Sequence, residues 1–279
     1  MKFDKLCNAI LERVFHGTPH DVVGTFDLQK IGSGEGAQAY GWGLYFAESP
    51  KVAQDYRRGL SHRHLLDKIR EVYDELDSSD DAIEALKDAG LSEKEINLVQ
   101  ALQGDDFLGF DYPHQAVNAA LKEPQNFELS DETKTAIANM GNLYEVNILA
   151  DKENDFLDWG KILSEQSEKV VSALRKISER NRDLNDIIQN DFDAKHLSGE
   201  LIYKMVGRTK FSLYKDVAKS ASYELYITGI KGIRYLDQGS RGTGEGTYNY
   251  VIFDPSVIQI VSKNGEFVMS SKTPENVEV

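Results

Sequence analysis

The stretch "FHGTPHDVVGTFDLQKIGSGEGAQAYGWGLYFAESPKVAQDY", from Phe15 to Tyr56, holds glycines, aromatic residues and two histidines more densely than the rest of the chain. Five of the twelve residues 32–43 are glycines. They predict a loop, because glycine loses more backbone entropy on ordering than any other residue. The segments on either side of this loop, Arg13–Gly17 and Gly43–Ala47, predict two strands.

A helix is expected directly after the second strand. Ser49 has the side chain of an N-cap, and Pro50 suits the first helical position. Ala53 and Tyr56 follow at helical spacing. The pattern predicts a helix that ends near Arg58.

Residues 61–140 differ in character, since glycine becomes scarce and helix-forming residues dominate. Ser92 with Glu95 three residues later is a capping-box pattern, and Ser130 precedes another helical run. The alternation typical of a half-buried strand returns only at Asn142–Ala150. We therefore expect residues 61–140 to be a helical insertion.

The rest of the chain combines helices and strands without regular alternation. This order predicts an α+β fold with a mixed or antiparallel sheet, and it disfavours a doubly wound parallel sheet. The expected elements are a long charged helix at 162–188, a helix at 212–229 that ends at Gly229, strands at Ile233–Leu236, Tyr248–Asp254 and Val257–Val261, and an edge strand at Gly265–Met269.

Composition excludes several classes of function. The chain has 279 residues, of which 41% are hydrophobic, and a net charge of −14. Such acidity disfavours sequence-independent binding to nucleic acid and adhesion to anionic membranes, although Arg57, Arg58, Arg63 and Lys68 form a local basic group. A single cysteine, Cys7, and the absence of a run of about 18 apolar residues predict a soluble, cytoplasmic protein.

Local motifs leave the chemistry open. The glycine-rich loop lacks the Gly-Lys-Ser/Thr ending of a P-loop and the spacing of a dinucleotide fingerprint, so a surface loop is the simpler interpretation. His16 with His20, or His62 with His64, has no third ligand nearby, and we expect no metal site. Cys7 has no activating partner in its segment and is interpreted as a bystander.

Separated pieces of the chain together resemble the ADP-ribosyltransferase fold, in the branch shared by diphtheria-toxin-like enzymes and poly(ADP-ribose) polymerases. They are "HGT" at His16–Thr18, "GWGLYFAE" at Gly41–Glu48, Tyr56, eleven residues after Tyr45, and the late strand "YNYVIFD". The chain is most similar to ADP-ribosyltransferase-like domains of phage, prophage and mobile-element polyvalent proteins. "GEGAQAYGWGLYFAES", "LYEVNI", "FLDW…LSEQ" and "GIRYLDQGSRGTGEGTYNYVIFDPS" carry that likeness.

The resemblance covers residues 13–262 and implies a single ADP-ribosyltransferase-like domain over residues 1–262, with a split mixed sheet and the helical insertion within it. Residues 263–279 would form an edge strand and a polar tail. NAD would bind as a substrate, without a metal, in a cleft between two small sheets.

The family's roles pass to matching residues of this chain. His16 would hold the adenine-side ribose, and the backbone of Gly17 would pair with the nicotinamide carboxamide. Tyr45 and Tyr56 would stack on the two faces of the nicotinamide ring, an arrangement that suits a cationic aromatic ring. On the residues alone, both tyrosines could instead be core aromatics.

Two positions depart from the family pattern. Ala53 stands where a helix residue usually donates a hydroxyl to the nicotinamide amide, a loss of about 1 kcal/mol that Thr18 or Ser49 would have to replace. Asn249 stands where the family has its catalytic glutamate. An asparagine can hydrogen-bond ribose, but it carries no charge and cannot act as a base.

A glutamate in the preceding loop offers a replacement for the missing carboxylate. Glu245 lies between Gly244 and Gly246, four residues before Asn249. We predict that this flexible loop brings Glu245 to the ribose, the other interpretation being a solvated side chain. Arg241 in the same loop would contact phosphate or acceptor, or remain at the surface.

The resemblance implies an NAD-dependent mono-ADP-ribosyltransferase, a toxin or effector that modifies a host macromolecule. A protein acceptor is favoured over nucleic acid because the chain is acidic. The expected location is cytoplasmic, including host cytoplasm after phage delivery. The alternatives are a catalytically inactive NAD-binding or interaction module, motivated by Asn249 and Ala53, and an NAD glycohydrolase.

Overall fold

The computed structural model describes residues 13–28, 39–75, 82–102, 113–189, 196–208, 217–240 and 246–268. Within these ranges eight strands form a sheet. In chain order they are β1 (Arg13–Thr18), β2 (Leu44–Ala47), β3 (Asn142–Ile148), β4 (Phe156–Asp158), β5 (Gly232–Leu236), β6 (Tyr248–Ile252), β7 (Ile258–Lys263) and β8 (Glu266–Phe267).

The strands are paired in the order β4-β5-β6-β2-β1-β3-β7-β8. β4 and β5 run parallel, and β5–β6, β6–β2, β2–β1, β3–β7 and β7–β8 are antiparallel. The predicted α+β class with a mixed sheet is thus confirmed. Pairing is continuous rather than divided between two separate sheets. Between β1 and β2, Phe15 is opposite Ala47.

Nine α-helices occur within the described ranges, and each is too short or too polar to cross a membrane. They are α1 (Pro50–Glu75), α2 (Ala82–Asp88), α3 (Glu93–Leu102), α4 (Pro113–Lys122), α5 (Asp131–Ala138), α6 (Glu168–Ser178), α7 (Arg182–Ile188), α8 (Gly199–Gly207) and α9 (Val217–Ile227).

Helix α1 is much longer than predicted. It begins as expected, with the Ser49 hydroxyl accepting from the Val52 amide, but it continues past Arg58 to Glu75. Gly59 interrupts the helical pattern on an exposed face, where a glycine costs only about 1 kcal/mol. Beyond it, apolar side chains at helical spacing are buried and outweigh that cost; they are Leu65, Ile69 and Val72.

The chain divides into two compact units. The helical unit comprises residues 17–21 and 54–142 and has its own core, built from buried side chains of α1–α5. The sheet unit comprises residues 1–16, 22–53 and 143–279. Within the described ranges no strand lies between β2 and β3, and all of the helices α1–α5 fall in that interval.

The sheet of the sheet unit has a core on each face. Because successive side chains of a strand point to opposite faces, Phe46 and Tyr45 of β2 identify the two faces. The Phe46 face includes Leu44, Tyr250 and Ile252. The Tyr45 face includes Ile233, Tyr235, Val251, Leu225 and Tyr203.

Several local predictions are confirmed by hydrogen bonds. Ser92 and Glu95 form the reciprocal capping box, and the Ser130 hydroxyl accepts from the Thr133 amide. Gly229 follows α9 with a φ of 98°, the left-handed conformation of a helix C-cap.

Besides the end of α1, one element was predicted wrongly and two were missed. Residues 162–188 are not one helix, because the side chains of Ser167 and Asn181 cap two separate helices, α6 and α7. β4 and α8 were not predicted. β4 has only three residues and α8 begins at Gly199, so neither has the length or composition of a strong local signal.

A glycine at the β5–β6 pairing provides a test of this packing. A Cβ on Gly232 would lie 2.2 Å from the Val251 carbonyl oxygen and 2.8 Å from the Phe156 ring. We expect Gly232→Ala to lower the free energy of unfolding by about 1–3 kcal/mol in urea denaturation. Gly160→Ala is the control, because its added methyl group would find its nearest neighbour at 3.8 Å. Equal losses from both substitutions would contradict the described packing.

Candidate functional site

Strand β6 brings the predicted residues Tyr45 and Asn249 to one face of the sheet. Tyr45 of β2 is directly opposite Val251, and Ala47 is opposite Asn249. On its other side, Asn249 is opposite Tyr235 of β5. Directly opposed residues share a face, so Asn249 and Tyr45 are diagonal neighbours on the Tyr45 face.

Asn249 has an unsatisfied polar atom. The residue is 8% exposed, and its Oδ1 is buried without a hydrogen-bond partner in the described structure. A buried acceptor left without a partner costs about 1–3 kcal/mol, and most buried polar groups in proteins do have a partner. The Asn249 carbonyl therefore has an acceptor capacity that no described group of the protein uses.

The phenol of Tyr45 is held by the turn that precedes β2. Its hydroxyl donates to the Gly41 carbonyl at 2.7 Å and accepts from the Tyr40 amide at 3.3 Å. Gly41 has a φ of 115°, and a Cβ there would lie 2.8 Å from the Tyr203 ring. A glycine is thus required for the turn that orients Tyr45.

Aromatic rings that the sequence analysis did not select extend this face. Tyr40 stacks on Tyr235 with ring centroids 3.8 Å apart and an interplanar angle of 6°, and its edge meets Trp159 at 5.4 Å. Trp159 in turn contacts Tyr203 at 5.7 Å. Tyr40 and Trp159 are only partly buried, so this face combines an aromatic surface with the unsatisfied Asn249 carbonyl.

His16 is joined to Tyr45 through the backbone. Its Nδ1 donates to the Tyr45 carbonyl at 2.7 Å, which leaves Nε2 of the neutral ring as an acceptor. The imidazole packs against Phe26 and Phe46 at 5.1 and 5.3 Å, so it lies on the Phe46 side of β2. His16 and Tyr45 thus occupy neighbouring strands without ring contact.

The other residues that were predicted to contact NAD differ in how far they are exposed to solvent. Gly17 and Thr18 are buried at the end of β1, and the Thr18 hydroxyl accepts from the His20 amide at 3.2 Å. Ala53 is buried in the first turn of α1, with 2% exposure. Tyr56 is 57% exposed. Its phenol therefore does not belong to the helical core, contrary to the core interpretation of this residue.

Glu245 and Arg241 lie outside the described residues, but the base of their loop is described. Asp237 accepts from the Thr247 hydroxyl and from the Ser240 amide, and the Thr247 amide donates to the Ser240 hydroxyl. The hydrogen bond from Thr247 lowers the pKa of Asp237 more than any other contact. Gly246 has a φ of 139°, and a Cβ there would overlap Ser240. Both ends of the segment are thereby held beside β6.

A carboxylate missed in the sequence analysis connects β2 to β6. Glu48 accepts from the Tyr248 amide at 2.7 Å and from the Tyr250 hydroxyl at 2.6 Å, and its own amide donates to the Tyr248 carbonyl at 2.9 Å. Lys152 approaches Glu48 at 3.8 Å and lies over the Tyr250 ring. In the sequence, the only indication of this bridge was an acidic residue directly after a predicted strand.

A buried ion pair lies beside this bridge. Arg234 of β5 donates to Asp158 of β4 at 2.9 Å and to the Lys152 carbonyl at 3.2 Å, and its guanidinium lies over the Tyr248 ring. The Asp158 backbone amide also donates to Gln166 Oε1 at 3.0 Å, and the Asp158 backbone carbonyl accepts from Gln166 Nε2 at 2.7 Å. Asp158 and Gln166 both occur in the sequence pattern "FLDW…LSEQ", so the resemblance already included the two residues of this contact.

The described residues contain no group of three or more His, Cys, Asp or Glu side chains that could hold a metal ion. Comparison with known proteins adds no assignment: no protein-family model, curated protein or solved structure matches the chain.

The environment of His16 predicts a pH dependence of stability. Burial lowers its pKa below 6.5, and the hydrogen bond to Tyr45 opposes this shift more weakly. Between pH 6.5 and the lowered pKa the unfolded chain binds more protons, so the free energy of unfolding falls as the pH falls through that window. We expect His16→Gln to reduce this decline in urea denaturation measured from pH 7 to about pH 5.

His196→Gln is the matched control for the pH experiment, because His196 is exposed in the same unit. This substitution should leave the fall in the free energy of unfolding between pH 7 and about pH 5 as it is in the original protein. If His16→Gln left the pH-dependent fall in the free energy of unfolding unchanged, the lowered pKa of the partly buried His16 imidazole would be contradicted.

Proposed function

We propose that the protein is an NAD-dependent mono-ADP-ribosyltransferase. One observation carries the proposal: the buried, unpartnered Asn249 Oδ1 lies on the same sheet face as the anchored phenol of Tyr45. A ribose presents hydroxyl donors and a nicotinamide presents a flat ring. The Asn249 carbonyl would accept from a ribose hydroxyl, and the Tyr45 ring would stack on the nicotinamide of the same ligand.

One residue of the family pattern does not join this face. The Nδ1 proton of His16 lies on the Tyr45 carbonyl, which leaves Nε2 as an acceptor, but the ring packs on the Phe46 side of β2, opposite to Asn249. The proposed contact with ribose therefore rests on Asn249 and not on His16.

Transfer requires one bond to break and one to form. Nicotinamide leaves with the electron pair of its glycosidic C–N bond, and an acceptor nucleophile attacks the anomeric carbon and loses a proton. Asn249 can orient the ribose but cannot take that proton. We assign acceptance of that proton, and the stabilisation of the developing positive charge, to the carboxylate of Glu245, which precedes the first residue of β6 by three positions in the sequence.

The proposed acceptor is a host macromolecule in the cytoplasm, with protein favoured over nucleic acid because of the net charge of −14. A second candidate function is NAD binding without turnover. It is favoured by the neutral Asn249, which gives the described site a hydrogen-bond acceptor without a charge. Hydrolysis of NAD is distinguished from transfer by nicotinamide release without any labelled macromolecule.

Calorimetric titration with NAD tests the binding site. We expect Asn249→Ala to weaken NAD binding about tenfold, because it removes a desolvated hydrogen bond worth about 1.4 kcal/mol. Asn147→Ala is a matched control, since Asn147 of β3 also has a buried, unpartnered Oδ1 but pairs with Gln259 of β7. Equal effects of the two substitutions, or no NAD binding at all, would refute the proposed site.

Nicotinamide release tests the chemistry. We expect Glu245→Gln to lower the release rate by about a hundredfold while NAD affinity changes little, because the carboxylate acts mainly on the transition state. Asn249→Glu should raise the rate in that variant by restoring a carboxylate on the sheet. Binding of NAD without release by the original protein would instead support the inactive module.

A further inference from the structure

The geometry points to Glu48 as the positioning residue of Asn249. It forms hydrogen bonds to both sequence neighbours of Asn249 in β6: to the backbone of Tyr248 and to the side chain of Tyr250. Glu48 directly follows Ala47, the residue opposite Asn249. One residue thus holds β6 on both sides of the position that would contact the ribose.

Asn249 needs such support because its own carbonyl contributes no hydrogen bond. A side chain with a buried, unpartnered acceptor keeps its orientation only if neighbouring groups determine it. Glu48 supplies three hydrogen bonds of 2.6–2.9 Å at this point, counting its backbone amide. Charged hydrogen bonds of this kind are about twice as strong as neutral ones.

The surrounding charges hold the Glu48 carboxylate in turn. Lys152, which is 9% exposed, places its Nζ 3.8 Å from Glu48 and 5.2 Å from the Tyr250 ring centroid. Arg234 covers the Tyr248 ring at 5.0 Å. Both tyrosines that flank Asn249 therefore contact a buried cation and, through Glu48, a common carboxylate.

Glu48 thus acts on the ligand indirectly, through the orientation of Asn249. This role rests on the proposed function in so far as the ligand is NAD. It predicts that Glu48 affects binding without touching the ligand, and that a glutamine can replace it in part. A glutamine retains the acceptor for the Tyr248 amide but loses the charge that faces Lys152.

The test compares Glu48→Ala, Glu48→Gln and Glu145→Ala. Glu145 is a matched carboxylate in the same sheet, since it bonds Arg13 of β1 and Ser262 of β7. The side-chain amide signals of Asn249 are followed by NMR, identified by their loss in Asn249→Ala. NAD affinity is measured by calorimetry, and stability by urea denaturation.

We expect Glu48→Ala to shift the Asn249 amide signals and to weaken NAD binding about tenfold. Glu48→Gln should recover most of that affinity. Glu145→Ala should lose stability but leave the Asn249 signals and the NAD affinity unchanged. The inference is overturned if Glu48→Ala leaves the signals in place, or if Glu145→Ala shifts them as strongly.

Failure of the proposed function gives a different result. If the original protein does not bind NAD, the ligand assignment is wrong, and the NMR comparison alone decides the role of Glu48. Signals that respond to Glu48 and not to Glu145 then support positioning of Asn249 for another ligand.

Discussion

The carboxylate of Glu48 binds the Tyr248 amide and the Tyr250 hydroxyl, and so connects the end of β2 to the strand that carries Asn249. Together with four register pairs between β2 and β6, this bridge determines which side chains share a face. A shift of one residue would turn Asn249 to the Phe46 face and separate it from Tyr45. The arrangement of the candidate site depends on this register.

Buried charges maintain the register at a cost. Desolvation of an ion pair can exceed its Coulombic gain, so such pairs are weak evidence for stability. Here Lys152 and Arg234 have partners in Glu48 and Asp158, and both cations also lie over tyrosine rings of β6. We therefore interpret these charges as groups that specify the position of β6.

Elements with strong local signals were predicted from the sequence, and contacts between distant segments were not. The strands at Arg13, Leu44 and Tyr248 and the capping box at Ser92 follow from patterns within a few residues. The Glu48–Tyr248 hydrogen bond joins residues 200 positions apart, and no local sequence pattern predicts it. The length of α1 also escaped prediction, because its continuation depends on apolar contacts in the helical core.

A crystal structure of the protein with NAD tests the central claim most directly, namely that the unpartnered carbonyl of Asn249 receives a ribose hydroxyl. We predict that this hydroxyl lies about 2.7–2.8 Å from Asn249 Oδ1 and that the nicotinamide ring lies against Tyr45. NAD bound elsewhere, or an Asn249 carbonyl that has no contact with bound NAD, would contradict it.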